Sequence, residues 1–574
     1  MSAVAHAHAM EDADAITLSI LWARLLSIVD EAGSALQRTA FSTVTRESND
    51  FAVVLMDAEG RSIAQSGISV PSFLGVIPML TKALLAGPFP AAEWHPGDVV
   101  MTNDPWLCAG HKPDIGLVSP VFHGGRLVAF IGSIAHSPDM GGTLWGAGAR
   151  DLYEEGLMVP PMRLYREGKP NDTLFAILEH NVRSPQQTLG DIRAQLAAND
   201  QGTRALQALM AESGLIDVSS LSRQVRAASE KAMRDALRAA PNGTWRYTYA
   251  ADGDGLGDGV EIALALTING DRIHADYTGT RRAHRLGINA VTNYAYAYTA
   301  YPIKCVFSPE VPNNDGGFLP ITMHAPDGSL LNAQAPSPLG ARNITGNILH
   351  AVVFGALAQA VPDRVQADCG SACWSVVLNG RLPDRGEFVE YFFLNGGYGA
   401  RATKDGPAVL SFPTNVANVP IEVLEHSMPL LVHEKSLRAD SGGDGTFRGG
   451  LGQRISFEWR GTEAVNCSLL SEKTQTRAHG VCGGEPGQSG AIQIEPTRPL
   501  APKGLTRLAP GDRLTLDLPG GGGYGDPALR DSAARHRDTV EGYVTARVTT
   551  RTNAPLPSGV ARDVTTATVH GDTQ

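Results

Sequence analysis

Glycine gathers in this chain instead of scattering. Asp440-Ser-Gly-Gly-Asp-Gly445, Phe447-Arg-Gly-Gly-Leu-Gly452 and Gly520-Gly-Gly-Gly523 all fall in one C-terminal region, and glycine supplies 63 of the 574 residues, about 11% where ~7% is usual. A residue without a Cβ is needed where φ is positive or where backbone comes too close for a side chain. Such clusters predict short strands joined by tight turns, with a backbone-lined pocket wall or a subunit contact as the alternative. They are not phosphate loops, because no Gly-x4-Gly-Lys-Ser/Thr occurs anywhere. Nor is there a Gly-x-Ser-x-Gly elbow.

Upstream, the periodicity changes. Ile16 to Thr39 carries Leu18, Leu21, Trp22, Leu25, Leu26, Ile28, Val29 and Ala32 at helical spacing. Phe51 to Met56 reads as a buried strand, turning at Asp57-Ala-Glu-Gly60 into Arg61 to Gln65. Asp98 to Thr102, Ile115 to Phe122 and Arg126 to Ile134 read as further strands, the last two joined at His123-Gly-Gly125. Gln186 to Met210 and Leu221 to Ala239 are helical, and Trp245 to Thr278 alternates as strands. Asn343 to Val361 is an apolar helix whose Gly346 and Gly355 point to close packing. The fold class expected is α+β and multidomain.

Several classes are excluded at the level of composition. The formal charge of −11 argues against nucleic acid, whose phosphates need a basic face. No apolar run of about 18 residues predicts a membrane span, and Met1 to Asp14 lacks a secretory layout, so the expected compartment is cytoplasmic. The six cysteines are dispersed without a second pair to complete a zinc site, which predicts reduced, mostly buried thiols.

Chemistry concentrates in three segments. In Gly110-His-Lys-Pro-Asp114 the proline forces a bend, so His111 and Asp114 aim from one loop into a strand. His136 ends the returning strand of the expected hairpin, which brings it near that pair. Two imidazoles and a carboxylate at one hairpin end make an open divalent-metal site, although each taken alone is an ordinary structural residue. Asp50, at the mouth of the Phe51 strand, is a candidate fourth ligand. Glu47 and Asp139 are candidate proton acceptors. His95 and His123 read as surface turn residues.

These segments resemble the hydantoinase B/oxoprolinase family, which includes the metal-bearing subunits of acetone and acetophenone carboxylases. The likeness runs from about Ile16 to Arg547. It rests on Arg46-Glu-Ser-Asn-Asp-Phe51, Thr102-Asn-Asp-Pro105, Gly110-His-Lys-Pro-Asp-Ile115, Ala135-His-Ser-Pro-Asp-Met-Gly-Gly142 and Tyr153-Glu-Glu-Gly156. It continues through Asp276-Tyr-Thr-Gly-Thr280, Val311-Pro-Asn-Asn314, Asn418-Val-Pro-Ile-Glu422, the two glycine segments at 440–452 and Pro519-Gly-Gly-Gly-Gly-Tyr-Gly-Asp-Pro527. Phe73, Gly110 and His350 depart from the pattern, where His, Thr and Asp are usual.

The resemblance implies that His111, Asp114, His136 and Asp50 hold a divalent ion, with Zn, Mn or Fe equally suited. It implies a hydantoinase A-type partner subunit that uses ATP to phosphorylate the oxygen of a cyclic amide. This chain would then be the metal-dependent hydrolytic subunit of a hetero-oligomer, opening a hydantoin, lactam or oxoproline ring. A carboxylase subunit of the acetone or acetophenone type, and a non-catalytic scaffold with a structural metal, stay open beside it. The corresponding division is a metal-site α+β domain over 1–165, a helical segment over 166–240 and a β-rich domain over 241–340. A glycine-rich α+β domain over 341–553 and a mobile tail over 554–574 complete it.

Overall fold

The computed structural model describes residues 13–371, 373–384 and 386–545; the tail expected over 554–574 lies outside them. Asp14 caps the first helix, α1 (Ala15–Thr39), by accepting from the backbone N–H groups of Ile16 and Thr17. After the short α2 (Thr43–Arg46) come β1 (Phe51–Asp57) and β2 (Ser62–Gln65), then α3 (Pro71–Ala86). Next are β3 (Val99–Thr102), β4 (Asp114–His123), β5 (Arg126–His136), β6 (Met162–Arg166) and β7 (Lys169–Pro170). The strands form an antiparallel sheet in the order β2-β1-β5-β4-β3-β6-β7.

Every residue of β1 is buried because both faces of the sheet are covered. Ala52, Val54 and Met56 point to one face, packed with Val76, Ile77, Leu80 and Leu84 of α3. Phe51, Val53 and Leu55 point to the other, packed with Leu25, Val29 and Leu36 of α1 and with the later helix α5. A period-two strand covered on both sides reads as an unbroken apolar run, which is what Phe51 to Met56 shows in the sequence.

Helices α4 (Asp172–Asn181), α5 (Pro185–Ser213) and α6 (Ser219–Arg238) follow. A second sheet is built from β8 (Gly243–Ala251), β9 (Val260–Asn269) and β10 (Arg272–Asp276). Helices α7 (Thr292–Phe307) and α8 (Asp315–Phe318) lead to β11 (Ile321–His324), which joins β10 in parallel. Helix α9 (Arg342–Leu357) then packs so closely that a Cβ on Gly346 would collide with the Tyr294 ring, and one on Gly355 with that of Tyr247. The two glycines act as the sequence predicts.

The C-terminal part contains two four-stranded sheets, 374–394 with 465–470 and 503–508, and 430–437 with 453–459, 491–495 and 513–517. Trp374 and Phe392 from the first meet Phe457 and Leu514 from the second in a shared core.

Beyond the ends of these strands the glycine clusters take a role that local sequence does not reveal. The expectation of tight turns needs correction: Gly442, Gly443, Gly449, Gly450 and Gly520 to Gly523 do not take positive φ. They lie backbone against backbone. A Cβ on Gly450 would overlap the Pro407 carbonyl, and one on Gly521 that of Tyr398. Consecutive residues bond to different segments: Gly521 N to Gly450 O, Gly522 N to Asp368 O and Gly523 N to Glu485 O, at 2.8–2.9 Å. A strand has two neighbours; a three-residue-per-turn extended chain bonds in three directions. The clusters are therefore the packing core of a glycine laminate.

Candidate metal centre

The register of the first sheet assembles the site. Strands β1, β5 and β4 are adjacent. Asp114 pairs directly with His136 at the first position of the β4–β5 hairpin. Phe51 pairs with Ala135, and the His136 N–H donates to the Asp50 carbonyl at 3.0 Å. Asp50, His136 and Asp114 thus stand in a row across three strands, where neighbouring side chains lie roughly 5 Å apart. His111 completes the group from the turn that enters β4, where Gly110 has φ +88°.

The distances are short. Asp114 Oδ1 is 3.1 Å from His136 Nδ1 and 2.9 Å from His111 Nε2. Asp50 Oδ2 is 3.9 Å from His136 Nδ1. One ligand-capable atom from each of His111, Asp114 and His136 falls within 4.8 Å of the others, and all three residues are buried. The His111 Nδ1–H donates to the Gly340 carbonyl at 2.9 Å, so Nε2 carries the lone pair. That nitrogen faces a carboxylate oxygen without hydrogen-bond alignment and is left unpartnered, as is Nε2 of His136.

Protonating His111 does not resolve the conflict. Burial, reinforced by the Arg342 charge, lowers its pKa to about 4. For Asp114 burial opposes ionisation, but the Arg342 charge and the hydrogen bond from His136 outweigh it and hold the carboxyl well below the usual range. A neutral imidazole lone pair set against a buried carboxylate repels unless a cation lies between them. The donor set of two imidazoles and two carboxylates therefore fits a divalent ion. Burial raises Asp50 to about 6, tempered by His136.

Other groups brace this arrangement. Arg342, at the start of α9, pairs with Asp114 Oδ2 and donates to the Ala109 carbonyl and to Tyr294 Oη. Its guanidinium lies 3.9 Å over the Tyr294 ring. Gly340 is held in turn by Glu155, which accepts from the N–H groups of Leu339 at 2.5 Å and Gly340 at 2.7 Å. Trp145 donates to the same Gly340 carbonyl at 2.7 Å. Arg342, Trp145 and Glu155 escape a reading of the sequence as site residues. Only Glu155 lies in one of the motifs that carry the family resemblance, Tyr153-Glu-Glu-Gly156.

The four expected ligands are thus brought together, whereas Glu47 and Asp139 are placed elsewhere. Neither lines the cavity at the histidines. Glu47 pairs with its neighbour Arg46 at 2.9 Å. Asp139 is ion-paired with Arg183 at 2.6 Å and caps Gly141 N–H at 3.0 Å, a loop-fixing role. Of the three departures from the family pattern, Phe73 faces the cavity. Gly110 sits where a Cβ would press on Arg342 Cδ at 2.8 Å. His350 lies away from the site, 3.4 Å from Asp368.

A family model described as hydantoinase B/oxoprolinase matches residues 14–527. The chain is 30% identical over 559 residues to one of the subunits of the putative D-/L-hydantoinase of Pseudomonas sp. (strain NS671), covering 93% of each. Its fold superposes on the crystal structure of ATP-dependent caprolactamase from Pseudomonas jessenii with a TM-score of 0.87 and 27% identity, over 94% of this chain and 95% of that one. Nucleotide-free acetone carboxylase matches with a TM-score of 0.83 over 93% of this chain and 78% of that one. At 18% identity that likeness is one of fold alone.

Proposed function

The chain belongs to the hydantoinase B/oxoprolinase family, and from that membership we propose that it is the metal-dependent hydrolytic subunit of an ATP-dependent complex that opens a cyclic amide. The observation that carries the reading is the pair of buried imidazole nitrogens, on His111 and His136, left without partners beside Asp114 and Asp50. A divalent cation of the Zn, Mn or Fe kind held there supplies Lewis acidity to an oxygen brought beside it.

The chain's own residues do the rest. Gly340 fixes the His111 tautomer so that Nε2 points inward. Arg342 occupies the outer oxygen of Asp114 and keeps that carboxylate charged. Trp145, Tyr294 and Phe393 wall the cavity and exclude bulk water, which strengthens every electrostatic interaction inside. The ring's inertness is overcome elsewhere, in a hydantoinase A-type partner that phosphorylates the amide oxygen with ATP. That assignment is supported by a relative whose name makes it one subunit of a larger hydantoinase.

Elemental analysis of the purified protein tests the centre: about one divalent ion per chain is expected, and its loss in His111→Ala. Co-purified with the partner and treated with a chelator, the complex should stop opening rings while the partner's ATPase persists. Ring opening that survives complete removal of the ion would overturn the reading.

A further inference from the structure

We infer that Asn343 and Asn347 hold a water beside the ion site and set its orientation, which makes them positioning residues for hydrolysis. The inference rests on the metal-dependent reading above and adds two residues of α9 to it. The cavity lined by His111 and His136 measures about 30 Å³, room for about one or two waters and nothing larger. What fills a space of that size is decided by the polar atoms around it. Among the buried atoms on its wall without a partner are Nε2 of His111, Nε2 of His136 and the side-chain oxygens of Asn343 and Asn347.

These atoms make two different demands. The imidazole lone pairs answer to the ion. The amide oxygens need hydrogens, which an ion already given His111, His136, Asp114 and Asp50 does not supply. Among the described residues of the wall the one fixed cation is Arg342, and it directs its nitrogens to Ala109, Tyr294 and Asp114 instead. Asn343 and Asn347 are only 7% and 8% exposed, and a buried acceptor left without a donor is costly. A buried water bridging such groups is the usual remedy.

Helix geometry lets a single water serve both. One turn apart on α9, residues 343 and 347 stand on the same side, with Cβ atoms roughly 5–6 Å apart. A water that donates to two oxygens through bonds of about 2.8 Å, at its tetrahedral angle, spans about 4.5 Å between them. With both hydrogens engaged, one lone pair faces the position that a catalytic ion keeps open. The second lone pair is left directed into the cavity. Hydrolysis needs a water presented in this way. A neutral amide accepts a hydrogen bond without taking the proton, so the two asparagines orient the water and do not activate it.

The test loads the full-length chain with Mn(II), transfers it to deuterium oxide and reads the deuterons nearest the ion by electron–nuclear double resonance. One water with two sharply resolved deuteron couplings is expected. Asn343→Leu and Asn347→Leu keep the shape of the side chain but remove the acceptor. Each should retain the ion, by elemental analysis, and lose one of the two sharp couplings. Asn347→Asp, which restores an acceptor oxygen, should recover it. In the complex assembled with the partner subunit, each leucine variant should lower kcat about 10-fold with KM unchanged. Two unchanged couplings in both leucine variants, an ion without exchangeable water, or an asparagine amide bound directly to the ion overturns the inference. A chain that takes up no ion overturns both the metal reading and this inference. If the ion and the oriented water are found but no ring opens, the hydrolytic reading falls and the placement of the water stands.

Discussion

A single carbonyl, that of Gly340, decides which nitrogen His111 presents, because an acceptor there requires a proton on Nδ1. Glu155 fixes that carbonyl through the two N–H groups before and at Gly340. Glu155→Gln keeps the shape but weakens the charge-assisted bonds, and supports of this kind typically change metal affinity about 10–100-fold. A loss of about 10-fold, measured by competition with a chromogenic chelator, is expected; unchanged affinity would show that Glu155 only packs. Asp50 gives a pH signature. Burial raises its pKa to about 6, so uptake of an ion below that pH must displace its proton. Affinity should fall by about 10-fold per pH unit below pH 6 from this group, and Asp50→Asn should remove that component of the slope. Arg342 is the third case. It is buried against a buried carboxylate, and removing one partner of such a pair costs about 3–5 kcal/mol. Arg342→Met should lower the stability of the metal-free protein by that amount, and added divalent ion should restore part of it by giving Asp114 another counter-charge.

Among the elements, two kinds of glycine separate cleanly. Gly124, in the β4–β5 turn, has φ +56° and open space where a Cβ would go. Gly124→Ala should therefore cost only about 1 kcal/mol of backbone strain. Gly521 has no positive φ but sits where a Cβ would overlap the Tyr398 carbonyl. Neither backbone can retreat without breaking the bonds that Gly521 makes to Gly450 and Gly443. Gly521→Ala should cost about 4 kcal/mol or more, read as the difference in urea midpoints between the two variants. Equal losses would mean that the laminate tolerates side chains. Helices α3 and α7 carry the parallel lesson. Each contains an internal proline, Pro78 and Pro302, which in a bare sequence argues against a continuous helix. Both stand because α3 packs against the first sheet and α7 against α9, outweighing one lost hydrogen bond. Together they supply Phe73, Tyr294 and Tyr298 to the cavity.

For the whole molecule, the centre is where separate parts of the chain meet. Strands β1, β4 and β5 bring Asp50, Asp114 and His136, and α9 brings Arg342 from more than two hundred positions downstream. An ion bound there stabilises the assembled form by mass action, about 4 kcal/mol when free ion exceeds its Kd by a thousandfold. Chelation should therefore lower the unfolding temperature of the full chain by several degrees, measured by calorimetry, with full recovery on returning the ion. An unfolding temperature indifferent to chelation would place the ion, if any, outside this junction.

Local periodicity and turn chemistry were enough to reveal the first helix, the doubly covered β1 strand and the β4–β5 hairpin. They also mark the three segments bearing His111, Asp114, His136 and Asp50, and the hairpin brings His136 near Asp114; the bulge between Val121 and Phe122 that sets the two directly opposite is not written in the turn. Whatever depends on residues distant along the chain stayed hidden until the parts came together. Arg342, Asn343 and Asn347 reach the cavity only because the start of α9 meets the β4–β5 hairpin at Asp114, in strands completed about two hundred residues earlier. The glycine clusters, which read locally as turns, become a laminate because segments from 368 to 525 stack on one another. Turn chemistry is written in adjacent side chains, but the absence of a side chain says only that something comes close, not which segment it will be.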